Sequence, residues 1–191
     1  LTAISYKLPF LDLLAGAGRL MAEYNGIEKA AHVKEKLFWL ASYAETTRSL
    51  TRMACMQARE LDFGMVIPDP PTVNIAKHHF AADFHQALSH VQDLAGGIIV
   101  TGPAVEDMQS EETGPLIEKY MKGKKGTSGK ERLQVINLIQ DITTSDFGGY
   151  NAVLALHAEG SMEAEKMQLY REYDWQKVRD YASKMARIGK A

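Results

Sequence analysis

Residues 138–153 read LIQDITTSDFGGYNAV, and the fold turns on how that stretch is parsed. Leu133, Val135, Ile136, Leu138, Ile139 and Ile142 recur with the spacing of a buried helix face, which predicts a helix over about 129–143. Thr143 to Gly149 then place hydroxyls, an aromatic ring and a glycine pair inside an otherwise apolar helical run. Gly148 and Gly149 are expected to interrupt the helix, which resumes to about 158. The break has two readings. It is a kink or inter-helix turn. Alternatively, it is a fresh helix N-terminus whose backbone N–H groups suit an anion such as a pyrophosphate. Glycine there would let a flat ring or a phosphate come close to the backbone.

The neighbouring sequence is helical in both directions. Downstream, Gly160 caps the interrupted helix, and Ser161 starts another with Glu163 and Glu165 in its first turn. The tail, about 174–187, is amphipathic and basic. Upstream, Pro9 suits the first turn of a helix over 9–24 that Gly26 ends. Gly16 and Gly18 inside that helix point to close packing. A long helix over about 27–61 follows, with Val33, Leu37, Leu40 and Ala44 in period and Trp39, Tyr43, Leu50 and Met53 widening the stripe. Pro68, Pro70 and Pro71 break the pattern, and Thr72 is the expected N-cap of a helix over about 72–94. Ile98 to Val100 is a β-prone run after Gly96 and Gly97. Short helices are expected over 104–109 and 113–121, and 122–129 reads as a flexible basic loop. The expected fold is all-α, an antiparallel helical bundle.

Composition narrows the function. The chain has 191 residues, 46% hydrophobic and 24% charged, so it can bury a core. Its 22 basic and 24 acidic residues argue against a nucleic-acid domain. A single cysteine excludes an intramolecular disulfide framework and any all-cysteine metal site built from this chain alone. No apolar run reaches the length of a membrane span, and the start has no signal-peptide architecture, so a cytoplasmic protein is expected. The chain begins Leu1-Thr2-Ala3, which reads as a piece of a longer protein.

Candidate chemistry is sparse. His78, His79, His85 and His90 lack the i, i+3 or i, i+4 spacing of helical metal ligands and read as surface or interface histidines. Cys55 reads as a buried structural thiol. His157 and Glu159 stand near a helix end as a possible acid and base, or as charges that stabilise that end. Serine-hydrolase, kinase and dinucleotide-fold motifs are absent.

Four blocks taken together carry a resemblance: AEYNGIEKAAHVKEKL (22–37), QDLAGGIIVTGP (92–103), LIQDITTSDFGGYNAV (138–153) and HAEGSMEAEKM (157–167). In this order they resemble the flavoprotein family that contains 4-hydroxyphenylacetate 3-hydroxylase and 4-hydroxybutyryl-CoA dehydratase. Matching blocks span about residues 8–188, and their style is closer to the dehydratase branch. The resemblance implies an architecture like the acyl-CoA dehydrogenases, of which residues 1–191 would be the C-terminal helical bundle domain. It implies FAD (or reduced flavin) held partly by this bundle, and self-association as a homodimer or homotetramer. Thr144, Ser145, Asp146, Phe147, Gly148 and Gly149 match the flavin-touching segment and are the implied cofactor contacts. Lys7 matches a lysine of the dehydratase and, with His157, is the candidate catalytic group.

Two departures accompany it. The dehydratase holds a [4Fe–4S] cluster through three cysteines and a histidine, and Tyr6 stands where one of those cysteines would be. Its carboxylate in the helix after the glycine pair is replaced by Ala152-Val153-Leu154-Ala155. The expected activity is therefore that of a flavin-dependent enzyme, in one of two forms. One dehydrates or isomerises a hydroxyacyl-CoA, and the other hydroxylates a phenol with reduced flavin and dioxygen. The alternative is a non-catalytic oligomerisation module. Neither nucleic acid nor membrane is an expected partner. Gly148→Val is expected to cut flavin retention without loss of helix.

Overall fold

A computed structural model describes residues 1–158 and 160–189. A one-turn helix, α1 (Thr2–Ser5), leads into α2 (Leu8–Asn25), which carries Pro9 in its first turn. Gly26 closes α2 with φ of 72°, donating its N–H to the Ala22 and Glu23 carbonyls. Ile27 N–H also bonds back to Ala22 O, so residues 27–30 turn, and α3 (Ala31–Met56) starts four residues later than expected.

α3 also ends early. Residues expected to continue it instead form a small antiparallel hairpin, β1 (Arg59–Glu60) against β2 (Val66–Ile67), with Arg59 opposite Ile67 and Glu60 opposite Val66. Gly64, at φ of 82°, supplies the left-handed residue that its turn needs. The cap of α4 (Pro70–Ala95) is Asp69 and not Thr72: the Asp69 carboxylate accepts the Thr72 N–H at 2.9 Å and the Thr72 hydroxyl at 2.5 Å. Pro70 and Pro71 then occupy the first turn, where their missing N–H groups cost nothing.

Ile98 to Val100 form no strand. They belong to a helical turn, α5 (Ile98–Thr101), closed by Gly102 N–H on Ile98 O at 2.8 Å. α6 (Val105–Gln109) and α7 (Gly114–Tyr120) are short, as expected. The basic loop after α7 is pinned to the body: Lys124 N–H bonds Tyr24 O at 2.8 Å, and a Cβ on Gly123 would lie 1.9 Å from that same oxygen. α8 (Gly129–Thr143) has the expected bounds and is capped by the Ser128 hydroxyl on Glu131 N–H. α9 (Asp146–His157), α10 (Met162–Glu172) and α11 (Trp175–Met185) complete the chain.

The core lies where α2, α3, α4 and α8 face one another. Phe80 and Phe84 of α4, Leu14 and Met21 of α2, Leu40 of α3, and Leu133, Ile136 and Ile139 of α8 are fully buried there. Gly18 sits in close contact there, since its Cβ would stand 3.2 Å from Leu94 Cδ1 and 3.4 Å from Leu40 Cδ1, whereas Gly16 faces open space. α10 lies across α4, with Glu165 buried at 3% exposure and 3.1 Å from Lys77 Nζ. No helix among the described residues is long and apolar enough to cross a membrane.

Candidate functional site

The break between α8 and α9 falls at Thr144 and Ser145, one turn earlier than the glycine pair. Ser145 is the N-cap of α9: its Oγ accepts the N–H groups of Phe147 at 3.1 Å and Gly148 at 3.3 Å. It donates to the Asp141 carbonyl at 2.6 Å. The Thr144 hydroxyl donates to Gln140 O at 2.9 Å. Two of the N–H donors expected to meet an anion are therefore already satisfied by Ser145. Gly148 and Gly149 lie inside the first turn of α9 and do not interrupt it.

The two glycines play different parts. A Cβ on Gly148 would sit 2.8 Å from the Thr143 carbonyl carbon and 2.9 Å from its nitrogen, so Gly148 lets α9 fold tightly against the end of α8. Gly148→Val would therefore damage the helix junction, contrary to the expectation that it spares helix content. A Cβ on Gly149 meets nothing within 4 Å, which leaves the backbone there open to a ligand. Beyond it Phe147, Tyr150 and Val153 form an exposed apolar strip along α9.

Thr144 and Ser145 line a groove of about 740 Å³ between α8 and the α5–α6 segment. Its polar wall is Gln134, Asn137, Gln140 and Asp141, and Val100, Val105 and Leu138 supply apolar surface. The Asn137 Nδ2 is buried without a hydrogen-bond partner, an orphan donor of the kind that a bound polar group satisfies. Sequence reasoning missed Asn137. Its only signal is a polar residue two turns before the break, on the α8 face that also carries Asp141 and Thr144.

Lys7 belongs to a separate, smaller pocket of about 160 Å³ lined by Tyr6, Phe10, Phe80, Phe84, Asn151 and Leu154. Its Nζ donates to Leu154 O of α9 at 3.1 Å and stands 4.7 Å above the Phe80 ring. Burial pulls the Lys7 amine down to about 8, so near-neutral pH holds both its charged and uncharged forms. A group in that state can give or take a proton. His157, at the end of α9, is exposed and does not line this pocket. Glu159 lies outside the described residues.

The remaining candidates separate. His79 Nδ1 is 3.0 Å from Asp83 Oδ2, its ring stands edge-on to Tyr43, and burial is the main cause that lowers its pKa. His90 packs edge-on against Trp39. Among the described residues no group of three His, Cys, Asp or Glu side chains converges as a metal site would need. Cys55 is exposed, not buried, because the buried stripe of α3 at that turn passes through Thr51 and Ala54. Tyr6 is 55% exposed. These residues do not fit an iron–sulfur cluster held by this chain. The groove beside α8 offers an orphan amide donor at Asn137, and the start of α9 next to it offers an open glycine backbone at Gly149 and an exposed aromatic strip, features that suit a flavin better.

Comparison with known proteins identifies the family and the fold. Residues 1–187 match a family model described as 4-hydroxyphenylacetate 3-hydroxylase C terminal. A Streptomyces globisporus monooxygenase, acting on a carrier-protein-bound (3S)-3-amino-3-(3-chloro-4-hydroxyphenyl)propanoyl group, is 28% identical over 170 residues, covering 88% of this chain and 32% of the relative. The oxygen-tolerant 4-hydroxybutyryl-CoA dehydratase of N. maritimus superposes with a TM-score of 0.88 at 28% identity, covering 100% of this chain and 38% of that one. The oxygenase component of 4-hydroxyphenylacetate 3-monooxygenase, solved with FAD and 4-hydroxyphenylacetate, has the same fold at 23% identity and a TM-score of 0.88, covering 96% and 38%. The chain spans about a third of the length of these proteins.

Proposed function

The chain belongs to the 4-hydroxyphenylacetate 3-hydroxylase C-terminal family, and on that footing we propose that it is the C-terminal, FAD-contacting and oligomerising domain of a longer flavin-dependent enzyme. The substrate class we assign is a hydroxyacyl-CoA, dehydrated or isomerised as in 4-hydroxybutyryl-CoA dehydratase. The match of this whole chain to part of the archaeal dehydratase, at 28% identity, supports that choice. The single observation that carries a catalytic role is the Lys7 pocket. It holds an amine shifted to about 8 inside an aromatic enclosure, braced on the helix that follows the candidate flavin segment.

In this reading Asn137, Thr144, Ser145 and Gly149 line the face that meets the flavin, together with Asp146, Phe147 and Gly148 as their supports. A bound flavin supplies one- or two-electron redox chemistry beside the substrate. Lys7 holds or moves a proton at Nζ, and the rings of Phe10, Phe80 and Phe84 exclude water around it. His157 is kept as a candidate only if the remainder of the protein covers it. No step is assigned to an iron–sulfur cluster. The place of action is the cytoplasm, and the self-associated form is a homodimer or homotetramer.

A second reading is reduced-flavin-dependent hydroxylation of a phenol. The monooxygenase relative at 28% identity and the ring-lined walls of the Lys7 pocket favour it. One experiment separates the two. The full-length protein is purified without air, its visible spectrum and iron content are measured, and it is offered 4-hydroxyacyl-CoA anaerobically or a phenol with reduced flavin and oxygen. Anaerobic turnover of the thioester supports the first reading, and oxygen-dependent turnover of the phenol supports the second. Absence of flavin binding under both conditions overturns both and leaves a helical association module.

A further inference from the structure

Asn151 shares the small pocket with Lys7, and its carboxamide has one end spoken for. Asn151 and Leu154 stand three residues apart on one face of α9, and both line the pocket. The Asn151 Nδ2 donates to Phe147 O, one turn back, at 2.9 Å. The reverse placement would set Oδ1 against that carbonyl, two acceptors with no proton between them, so the bond fixes which end of the amide is which. With Nδ2 turned to the backbone, Oδ1 is the pole left open, and it accepts no hydrogen bond among the described residues. In the same pocket Lys7 Nζ is positioned by its bond to Leu154 O at 3.1 Å and offers N–H donors.

The rest of the wall is apolar and fixed. Phe80 and Phe84 are fully buried, and Phe10 stacks on Phe84 with ring centroids 5.9 Å apart. The cavity measures about 160 Å³. An apolar cavity of about 150 Å³ takes a single benzene ring, so this one takes one small ring or a short acyl chain, and a thioester with its nucleotide stays outside it.

One acceptor and one donor in an apolar pocket select among ligand groups. A carbonyl or ether oxygen would accept from Lys7 and leave Asn151 Oδ1 unmatched. A carboxylate would suit Lys7 and set its charge against that same oxygen. A hydroxyl satisfies both, since it accepts from Nζ and donates to Oδ1. A site that bonds a hydroxyl rejects an analogue without one, because the site's own polar groups are then left unpaired.

We infer that Asn151 is a specificity-determining residue that, with Lys7, grips the neutral hydroxyl of the substrate, an alcohol or a phenol carried on a small apolar group. The inference rests on the flavoenzyme reading above, both forms of which bring a hydroxyl to this chain, and adds which residue reads that group.

The test uses the full-length protein and reads equilibrium binding by calorimetry without air and without turnover. Two pairs of ligands are compared: 4-hydroxybutyryl-CoA with butyryl-CoA, and 4-hydroxyphenylacetate with phenylacetate. The parent prefers the hydroxylated member of one pair by about 100-fold or more. Asn151→Leu lowers that preference to about tenfold or less and leaves the affinity for the other member unchanged, which shows the pocket intact. Asn151→Ala, which adds no bulk, gives the same result. A parent that binds neither pair, a parent that binds both members alike, or variants that keep the parent's preference overturn the inference and leave the flavin reading standing. A protein whose spectrum shows no flavin overturns that reading instead, and the same titrations still decide the part of Asn151.

Discussion

α4 and α11 are both amphipathic, and they end in opposite places. α4 buries Val73, Ala76, Phe80, Phe84, Ala87, Leu88, Val91 and Leu94, and α2, α3, α8, α9 and α10 all pack against it. α11 has a purer apolar face than α4, yet it buries nothing. The difference is partners and not pattern. A helix with a wide apolar stripe is enclosed by its own chain, whereas α11, with a stripe of Trp, Tyr and Met edged by Lys and Arg, stays on the surface of this one. The candidate sites lie between these extremes. α9 buries only Gly148 and Ala155 and leaves Phe147, Tyr150 and Val153 on show, so it is anchored on one side and open on the other.

The sharpest break in this comparison is at its two ends. Phe80→Ala removes a fully buried ring that touches Tyr43 and Phe84, and it should cost about 4 kcal/mol of unfolding free energy by denaturant titration. Tyr181→Ala should cost less than about 0.5 kcal/mol in the same titration at a concentration where the protein is dissociated. Similar losses at both positions would mean that α11 is packed on its own bundle.

Glu165 is where the two regions join. Breaking its buried pair with Lys77 by Glu165→Ala should cost about 3 kcal/mol, because the ammonium is left without its carboxylate. Replacing both with Leu and Met should recover most of that. A neutral Glu165→Ala would show that α10 is held to α4 by its apolar contacts alone.

Lys7 gives a smaller, pH-dependent effect. Its folded pKa, about 8, is below its ordinary value of 10.5, so between these the unfolded chain binds more protons and stability rises with pH. Below about 8 both states are protonated, and the cost of the buried charge is fully present. Lys7→Met should abolish the rise between pH 8 and 10.5, read as the change in denaturation midpoint; an unchanged rise would assign it to another group. The smallest effect is at Cys55. It is exposed, and Cys55→Ser should leave stability within about 0.5 kcal/mol, where a buried thiol would give more.

Periodicity placed the helices that bury their own stripe. α2 and α8 lie within a residue of their sequence bounds, because Pro9, Gly26 and Ser128 act locally. The end of α3 was not legible, since the hairpin that replaces it is fixed from a distance, with Asp69 N–H bonded to Ala54 O at 3.0 Å. Thr72 is a good capping residue by type, but Pro70 and Pro71 fill the first turn of α4, so the cap falls on Asp69 before them. At the site, the 144–149 segment was found by its composition and by resemblance, but the residues around it were not. Asn137 becomes a site residue only when α8 packs beside the α5–α6 segment, and Asn151 only when α9 packs beside α2 and α4, and no local signal marks such contacts. Lys7 was legible only through resemblance, because its pocket is made by α4 and α9 from far along the chain.

The claim on which the account depends is that the α8–α9 face holds the flavin. The measurement is a FAD titration of the full-length protein, by flavin fluorescence, beside the Gly149→Val and Asn137→Leu variants. The account predicts that both variants bind FAD about tenfold more weakly while circular dichroism keeps its helix content, since Gly149 has open space for a side chain. Equal FAD affinity in parent and variants would contradict it.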